Sequence, residues 1–391
     1  SIVRFWRSRL SKRRLLIIIP KKGLIQSPLS AKLRQTAMPA IRTKVLVALS
    51  GGVDSTVCAH LLKTQGYDVR AVVMKMSDLH DKTVAAAQEA AESLEIPLTV
   101  LDLKEEFSQT VISYFIHAYQ TGITPNPCVV CNPKIKFRHL IEEADRQGCA
   151  LAATGHYAKL HRRADGIVEL LRGDSDKRDQ SYMLYRLSQK ELSKLVFPLA
   201  NMEKDEVRRI AASLGLSCAT APDSQENCFI EGTDYAGFIE RACGKMPEGD
   251  FIGPDGSVCG RHRGIVHYTV GQRKHLGVAL GRPVYVRSID PVQNCIYLAD
   301  MDSTMLSKTA FLSDITATAG DFPSGKFMGQ VKIRSVAKPV EAEITLSDGS
   351  DAVVQFCEPQ RAVSKGQSLV IYDGICWTGG GFIGGENKVF L

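Results

Sequence analysis

The sequence predicts an α/β domain with a doubly wound parallel sheet, followed by a small antiparallel β-barrel. Strand and helix patterns alternate from residue 44 to about residue 215, which is typical of a parallel sheet covered by helices. From about residue 284 the pattern changes to short β segments between Gly, Pro and Asp turns, which is typical of a barrel. At 391 residues the chain has room for two or three domains.

The first part of the chain predicts a layered sheet with one ligand-binding edge. Its patterns indicate strands at 45–49, 69–74, 98–101 and 150–153, and helices at 84–94, 105–119 and 137–146. In such sheets ligands bind beyond the carboxyl ends of the strands. The loop after residue 49, Met74, the Pro-rich segment 124–132 and Gly155–His156 all fall at those ends.

The rest of the chain predicts helices first and then short strands. Helices are expected at 204–214 and 235–242, with a loop at 222–230 between them. The barrel strands are expected at 284–289, 295–299, 329–334, 342–346, 352–356, 368–372 and 381–383.

A glycine turn joins the first strand to a helix in the run VLVALSGGVDST at 45–56. Gly51 and Gly52 leave backbone N–H groups uncovered by side chains, and Asp54 and Ser55 follow where a helix begins. Backbone donors at a helix N-terminus bind phosphate. The spacing fits neither the Walker A loop nor the dinucleotide fingerprint, so the sequence predicts a phosphate site of another kind.

The eleven cysteines do not suggest a disulfide scaffold in a chain of this length. Cys128 and Cys131 form a C-x-x-C in the Pro-rich segment, which fits a redox pair, metal or cluster ligands, or a catalytic nucleophile with a neighbour. No second C-x-x-C is present, so a four-cysteine zinc site is not predicted. By itself Cys228 is an unremarkable loop cysteine.

The positive charge of the chain lies in its first residues. The formal net charge is +7, but residues 1–43 hold 11 Lys and Arg and no acidic residue, so the remainder is slightly acidic. Net charge therefore predicts no nucleic-acid partner; a local basic surface is needed. The segment 1–43 fits a transit peptide or an upstream piece that is not part of the functional protein. A cytoplasmic location is expected, or a mitochondrial or plastid one if 1–43 is a transit peptide. No apolar run reaches membrane-span length, so no membrane partner is expected.

Several segments together resemble the tRNA-specific 2-thiouridylases, a family of PP-loop ATP pyrophosphatases. The SGGVDS run is similar to the PP-loop signature, and the further matching segments occur in family order: TPNPCVVCNPKIKF, ATGHYAK, RDQSYMLY, FPLANMEKDEVR, DSQENCFI, YTVGQRKHLG and GGGFIGG. The resemblance implies a PP-loop domain at 44–215, a central domain at 216–283 carrying the second catalytic cysteine, and a C-terminal β-barrel at 284–391 that contacts tRNA.

The resemblance implies ATP-dependent 2-thiolation of the wobble uridine of tRNA, which makes the chain a sulfurtransferase. Uracil O2 would be adenylated by ATP with Mg²⁺, and sulfur would arrive as a persulfide on Cys228 from a cysteine desulfurase or persulfide carrier. Cys131 would be the partner nucleophile, freeing the sulfur or closing a disulfide with Cys228. Both thiols are then expected to be accessible.

The remaining site residues also follow from the resemblance. The implied ATP contacts are Ala48, Leu49, Ser50, Gly51, Gly52, Val53, Asp54, Ser55, Met74 and Gly155. Asn126, Pro127 and Cys128 would line the target base. The implied tRNA contacts are His156, Arg178, Asp179, Gln180, Arg334, Ser335 and Gln367.

Three positions depart from the usual family pattern. Many members have Asp in place of Cys128, and a third thiol raises the alternative that Cys128, Cys131 and Cys228 hold a [4Fe–4S] cluster. Arg178 replaces the usual Lys, and Ser335 replaces an aromatic residue. Two other functions stay open: another PP-loop adenylating enzyme, or a thiol- or metal-binding module without catalysis.

Overall fold

The computed structural model describes residues 42–174, 178–220, 227–300, 305–320, 322–323, 325–347, 350–374 and 376–384. Residues 42–391 form one compact unit. Nearly all of the basic segment 1–43, residues 223–226 of the DSQENCFI segment and the last glycine of GGGFIGG lie outside the described residues. No helix in the described part of the chain is long and apolar enough to cross a membrane.

The predicted strands and helices occur in the predicted order, with further strands and helices between them. The helices are α1 (Val53–Thr64), α2 (Asp81–Ser93), α3 (Lys104–Phe107), α4 (Ser113–Gln120), α5 (Pro127–Cys131), α6 (Phe137–Arg146), α7 (Gln189–Lys194), α8 (Lys204–Ser213) and α9 (Tyr235–Cys243). The strands are β1 (Lys44–Ala48), β2 (Asp68–Lys75), β3 (Leu98–Asp102), β4 (Leu151–Ala153), β5 (Ala158–Arg162), β6 (Val168–Arg172), β7 (Leu195–Val196), β8 (Gly249–Ile252), β9 (Val258–His262), β10 (Tyr285–Asp290), β11 (Cys295–Ala299), β12 (Leu306–Ala317), β13 (Lys326–Lys332), β14 (Val340–Leu346), β15 (Ala352–Arg361), β16 (Ser368–Asp373) and β17 (Cys376–Gly384).

The first domain is a parallel sheet with helices on both faces, which confirms the predicted doubly wound class. The strand order is β3-β2-β1-β4-β7, and each neighbouring pair is parallel. Along β1, Leu46 packs into one core, and Val45 and Val47 pack into the other. The strands that follow β1 are added first on one side of it (β2, β3) and then on the other (β4, β7), so the strand order reverses between β1 and β4. A ligand crevice is therefore expected beyond the carboxyl ends of β1 and β4.

The C-terminal part is a closed antiparallel barrel, as predicted. Its order is β12-β15-β14-β13-β16-β17, and β12 pairs with β17 to close it. The hairpin β5–β6 of the first domain, which the sequence did not predict, joins the barrel sheet where Leu171 pairs with Cys376. This pairing ties the first domain directly to the barrel.

The two strands expected to open the barrel lie in the central domain instead. Strands β10 and β11 form a four-stranded sheet of order β10-β11-β8-β9. This sheet has its own core, which includes Phe251, Val286 and Ile296. The structure therefore places residues 285–299 with the central domain, whereas the predicted boundary was after residue 283.

The Pro-rich segment is partly helical, which corrects its expected description as a loop at 124–132. Residues Pro127–Cys131 form α5, and a π-helical turn at Asn132–Lys136 connects α5 to α6. Pro133 has no N–H and would crowd the Val129 carbonyl in a regular α-helix, so the wider turn relieves that conflict. Cys128 and Cys131 thereby lie one turn apart on a helix.

Candidate active site at the edge of the parallel sheet

The glycine turn after β1 forms a compact loop held by its own serines. The backbone N–H of Ser50 donates to Ser55 Oγ at 3.1 Å, and Ser55 Oγ donates to the Gly52 carbonyl at 3.1 Å. Gly52 is the N-cap of α1 and has no side chain to satisfy the free N–H groups there. Those donors remain available to an anion at the positive end of the helix.

Two glycines let neighbouring backbones approach this loop closely. Gly51 has φ of +72°, and a Cβ there would overlap Ala86 of α2. A Cβ on Gly155 would lie 2.8 Å from the Asp54 carbonyl carbon and 3.0 Å from the Ser55 nitrogen. Gly155, which follows β4, therefore packs directly against the first turn of α1, at the point where the sheet reverses.

The remaining predicted ATP contacts continue the same edge. Met74 is buried near the carboxyl end of β2. Leu49 is buried, and its N–H donates to the Val72 carbonyl at 2.8 Å, which extends the ladder one residue beyond β1. Ala48 and Val53 lie at the end of β1 and the start of α1.

Asp54 is held by two residues to which the sequence reasoning assigned no role. Lys204 Nζ lies 2.8 and 2.7 Å from the two Asp54 carboxylate oxygens, and Tyr157 Oη donates to Oδ1 at 2.7 Å. Lys204 is the first residue of α8, and its side chain is buried. The FPLANMEKDEVR segment contains Lys204, but only the three-dimensional structure pairs it with Asp54.

The three candidate cysteines differ in exposure. Cys128 and Cys228 are exposed, whereas Cys131 is only 6% exposed. Cys131 therefore departs from the expectation that both reactive thiols are accessible. Phe229 anchors Cys228, because its buried ring packs edge-on against Phe107 and Phe115 at 5.6 and 5.2 Å between centroids.

The ammonium of Lys136 acts electrostatically on Cys128, Cys131 and Cys228, which together form the cysteine group. Burial raises the pKa of the Cys131 thiol to about 12, and the Lys136 ammonium opposes this rise. Cys228 is exposed, but the protein atoms around it partly desolvate its thiol and raise its pKa, again against the charge of Lys136. Burial lowers the pKa of Lys136 itself, but Cys131, Cys128 and Cys228 outweigh that effect and the net shift is upward. One ammonium thus acts electrostatically on all three thiols, and no sequence pattern predicted this role because a single Lys has no signature.

His156 lies between the phosphate loop and the cysteine group. Its Nδ1 is 2.7 Å from Thr154 Oγ1, and its ring packs on Phe137 with centroids 5.6 Å apart. Burial, and then the charge of Lys136, lower the pKa of His156 to about 3. His156 is therefore neutral near pH 7. The preceding residue, Gly155, touches Asp54, so two consecutive residues connect the two halves of the site.

The three thiols do not form a metal-ligand set in this arrangement. Among the described residues, no three His, Cys, Asp or Glu side chains are grouped closely enough to hold a metal ion. The described part includes Cys128, Cys131 and Cys228. We therefore derive no step through an iron–sulfur cluster.

The residues expected to line the target base lie beside the cysteines. Asn126 precedes α5, and its Nδ2 is 3.5 Å from Met183 Sδ. Pro127 is buried and begins the helix that carries Cys128. Asn126, Pro127 and Cys128 are therefore consecutive residues at the start of the helix that carries Cys131.

Most of the residues that were expected to contact tRNA form hydrogen bonds within the protein. Asp179 Oδ1 accepts hydrogen bonds from the N–H groups of Gly173 and Ser181, and its side chain is 2% exposed. Gln180 Oε1 accepts from the Tyr157 N–H at 3.0 Å. Arg178 is exposed beside them. The structure gives Asp179 and Gln180 a role in shaping this loop.

Two of the expected tRNA contacts in the barrel, Arg334 and Gln367, also donate hydrogen bonds within the protein. Arg334 Nη2 donates to the Ala362 carbonyl at 2.8 Å, and Ser335 lies half-buried in the adjoining turn. Gln367 Nε2 donates to the carbonyls of Thr124 and Pro125 at 3.1 and 3.3 Å. Gln367 thus contacts the segment that leads into the cysteine helix.

Three family models match consecutive parts of the chain. The descriptions are "tRNA methyl transferase HUP domain" for residues 43–232, "tRNA methyl transferase PRC-barrel domain" for 236–300 and "Aminomethyltransferase beta-barrel domain" for 307–383. These limits agree with the observed grouping of β10 and β11 with the central domain.

Curated relatives match over almost their whole length. The tRNA-specific 2-thiouridylase MnmA of Clostridioides difficile is 41% identical over 353 residues, covering 87% of this chain and 98% of the relative. The protein of the same name from Clostridium perfringens is 40% identical over 356 residues, covering 88% and 98%. Among solved structures, a 4-thiouridine synthetase–RNA complex with bound ATP has 15% identity and a TM-score of 0.34, covering 48% of this chain and 45% of the other. A likeness that low carries no argument.

Proposed function

The chain belongs to the family of tRNA-specific 2-thiouridylases, and from that premise we propose that it transfers sulfur to C2 of the wobble uridine of tRNA at the expense of ATP. The observation that carries the proposal is the connection of two chemically different half-sites. The phosphate loop and the first turn of α1 pack against Gly155. The charge of Lys136, which acts on all three thiols, also lowers the pKa of the next residue, His156. Adenylation and sulfur transfer on one base need such half-sites side by side.

The phosphate loop supplies the first half of the reaction. Uracil O2 attacks the α-phosphorus of ATP, a P–O bond forms to the base, and pyrophosphate leaves with the bonding electrons. The N–H groups in the first turn of α1, after its N-cap Gly52, would donate to the phosphates and stabilise the charge of the leaving pyrophosphate. The uracil oxygen, a poor leaving group, becomes part of AMP.

Asp54 and Lys204 complete the phosphate half. The Asp54 carboxylate would be an oxygen ligand for a Mg²⁺ ion that enters with ATP, and such an ion would neutralise phosphate charge. Lys204 already compensates the charge of Asp54 in the buried contact. This pairing fixes the carboxylate beside the loop before ATP binds.

The cysteine half supplies the sulfur. The terminal sulfur of a persulfide on Cys228 attacks C2, and AMP leaves with the C2–O2 bonding electrons. Cys131 then attacks the Cys228 sulfur, the S–S bond to the transferred atom breaks, and a Cys131–Cys228 disulfide forms. An external thiol reduces that disulfide for the next turnover. Lys136 stabilises each thiolate that forms on the way.

The partners follow from this chemistry. The nucleic-acid substrate is a tRNA with a wobble uridine, whose base must leave its stack to reach the cysteines and the phosphate loop. The sulfur donor is a cysteine desulfurase or a persulfide carrier. Free catalytic thiols need a reducing compartment, so we propose the cytoplasm, or a mitochondrion or plastid if residues 1–43 are a transit peptide.

The test is mass spectrometry of nucleosides from tRNA incubated with the protein, ATP, Mg²⁺ and a persulfide donor. We expect 2-thiouridine and one pyrophosphate released per thiolated base. Wild-type protein that releases no pyrophosphate and leaves the uridine unchanged overturns the proposal. A methylated base would instead support the activity named in the family-model descriptions, and an aminoacylated or amidated base would support another adenylating enzyme.

A further inference from the structure

The segment that precedes the cysteine helix is held by the C-terminal barrel. Residues 121–126 connect α4 to α5 and contain neither helix nor strand. The N–H of Thr124 donates to the Lys365 carbonyl at 3.0 Å, across the boundary between the first domain and the barrel. The position of Asn126 and Pro127 therefore depends on a loop of another domain.

Gln367 adds the side-chain part of this contact. Its Nε2 lies 3.1 Å from the Thr124 carbonyl oxygen and 3.3 Å from the Pro125 carbonyl oxygen. A primary amide has two N–H donors, so both are used on this segment. Gln367 can donate to a tRNA phosphate only by releasing the segment.

Gly366 allows the close approach. Its φ is +86°, and a Cβ there would overlap Ile123 Cγ2 and lie 2.9 Å from the Thr124 carbonyl oxygen. The barrel side cannot yield easily, since the Gly366 N–H donates to the Ile383 carbonyl at 2.8 Å and the Ile383 N–H donates to the Gln367 carbonyl at 2.7 Å. Both bonds fix the loop to β17.

The central domain supports the same segment from its start. Gly122 has φ of +70°, and a Cβ there would lie 3.1 Å from Ile289 Cγ2 and 3.2 Å from the Ile289 carbonyl oxygen. Ile289 belongs to β10. The segment 122–126 is thus confined by the central domain at one end and by the barrel at the other.

We propose that Gln367 and Gly366 are positioning residues, which set the place of the target-base residues Asn126–Cys128 through the backbone of Thr124 and Pro125. The inference rests on the proposed function and deepens it: Gln367 acts on catalysis through the cysteine helix and does not contribute to tRNA affinity. A misplacement of about 1 Å at a reacting centre costs on the order of 10²-fold in rate, so a shift of this backbone is costly.

The first experiment compares Gln367→Met with Gln330→Met. Met has the length of Gln but no donor, and Gln330 is a matched control because its Nε2 bonds Glu341 on the barrel surface. We expect kcat for 2-thiouridine formation to fall by about 10²-fold in Gln367→Met, with an unchanged dissociation constant for tRNA and an unchanged salt slope. Gln330→Met should match wild type.

The second experiment compares Gly366→Ala with Gly374→Ala. Gly374 also has positive φ, +62°, but has no atom within 4 Å of a Cβ, so it carries the backbone strain without the contact. We expect faster amide hydrogen exchange in peptides covering 121–128, together with lower kcat, in Gly366→Ala only.

Two results overturn the inference. One is weaker tRNA binding with a smaller salt slope and normal kcat at saturating tRNA in Gln367→Met, which marks a direct phosphate contact. The other is equal exchange and equal kcat in the two Gly variants. Wild-type protein that makes no 2-thiouridine overturns the proposed function instead, while the hydrogen-exchange comparison still tests the positioning contact.

Discussion

The phosphate loop and the cysteine group are built in opposite ways. The loop is a continuous stretch in which Ser50, Gly52 and Ser55 bond one another. The cysteine group is assembled from two distant segments: residues 127–136 carry Cys128, Cys131 and Lys136, and Cys228 belongs to the other. The phosphate donors therefore come from one contiguous loop, whereas the cysteine chemistry depends on how two separate segments pack together.

The two half-sites also differ in how the charge of their central residue is balanced by its neighbours. The Asp54 carboxylate is compensated by Lys204 and Tyr157 within hydrogen-bonding distance. Among the described residues, the charges that raise the pKa of Lys136 are those of the three thiols, so thiolate formation improves the charge balance of its ammonium. The phosphate half is therefore preorganised, and the cysteine half gains its charge balance during the reaction.

The largest expected effect is the complete loss of sulfur transfer while pyrophosphate release is retained. Cys228→Ser and Cys131→Ser should each abolish 2-thiouridine formation, because a hydroxyl neither carries a persulfide nor attacks one at neutral pH. Pyrophosphate release with tRNA should persist, since neither thiol touches the phosphate loop. Nucleoside mass spectrometry and a pyrophosphate assay on the same samples measure both.

Cys357→Ser is the matched control for these variants. Cys357 is also exposed but lies on β15 of the barrel. It should keep both activities. Full thiolation by Cys228→Ser with a persulfide donor contradicts the division of labour between the half-sites.

The next largest effect is expected at Gly155, the residue through which the two half-sites are connected. Gly155→Ala places a methyl group within 3.0 Å of the Asp54 and Ser55 backbones. We expect pyrophosphate release and thiolation to fall together by about 10²-fold, and the free energy of unfolding to fall by about 1–3 kcal/mol from overpacking. Steady-state kinetics and urea denaturation check this.

Gly329→Ala is a suitable control, because its nearest neighbour is the flexible end of Ile344 at 3.3 Å. It should leave both activities unchanged. Selective loss of only one activity in Gly155→Ala would show that the half-sites are not joined through this residue.

The sequence predicted the local structure of the phosphate loop because that structure is determined by neighbouring residues. The glycine turn, the strand before it and the helix after it all lie in one run, and short-range rules describe such a run. Lys204 escaped that reasoning because its pairing with Asp54 depends on how α8 packs against α1. Long-range pairing of this kind has no local pattern.

The cysteine half was predicted only in part. The motifs identified Cys128, Cys131 and Cys228, but they suggested a loop and two accessible thiols. The π turn at Asn132–Lys136 continues the helix, buries Cys131 and turns Lys136 toward the thiols. Prolines such as Pro127 and Pro133 are typical of loops, but the wider turn at Asn132–Lys136 lets the helix continue past Pro133. The role of Lys136 follows from that turn.

A smaller effect tests Lys136 by its charge. Lys136→Gln removes the ammonium that opposes the rise in the pKa of Cys131 and Cys228. Both thiol pKa values should then rise further, so the rising limb of the pH–rate profile should move to higher pH. At a given pH below the pKa, the thiolate fraction falls about tenfold for each further pH unit by which the pKa rises.

The measurement is the pH dependence of kcat for thiolation under single-turnover conditions. Lys136→Arg keeps the charge and should restore much of the rate near pH 7. Pyrophosphate release is the internal control and should change little in either variant. An unshifted profile in Lys136→Gln contradicts a role for this charge in thiolate formation.

The smallest expected effect concerns Cys128, where the two chemical hypotheses for the cysteine half diverge. Cys128→Asp places a carboxylate near Lys136 and so takes up part of the charge that favours the Cys131 thiolate. In the persulfide–disulfide route the loss should therefore be only about two- to fivefold, because the thiol pKa rises by less than about one pH unit, and iron should not be required. In a cluster route the same change removes one of three thiolates, so anaerobically prepared protein should lose its iron, its brown colour and its activity together. Iron analysis and thiolation assays on the wild type and Cys128→Asp decide between them. Because the three thiols are not grouped as metal ligands in the described structure, we expect iron-free protein to remain active.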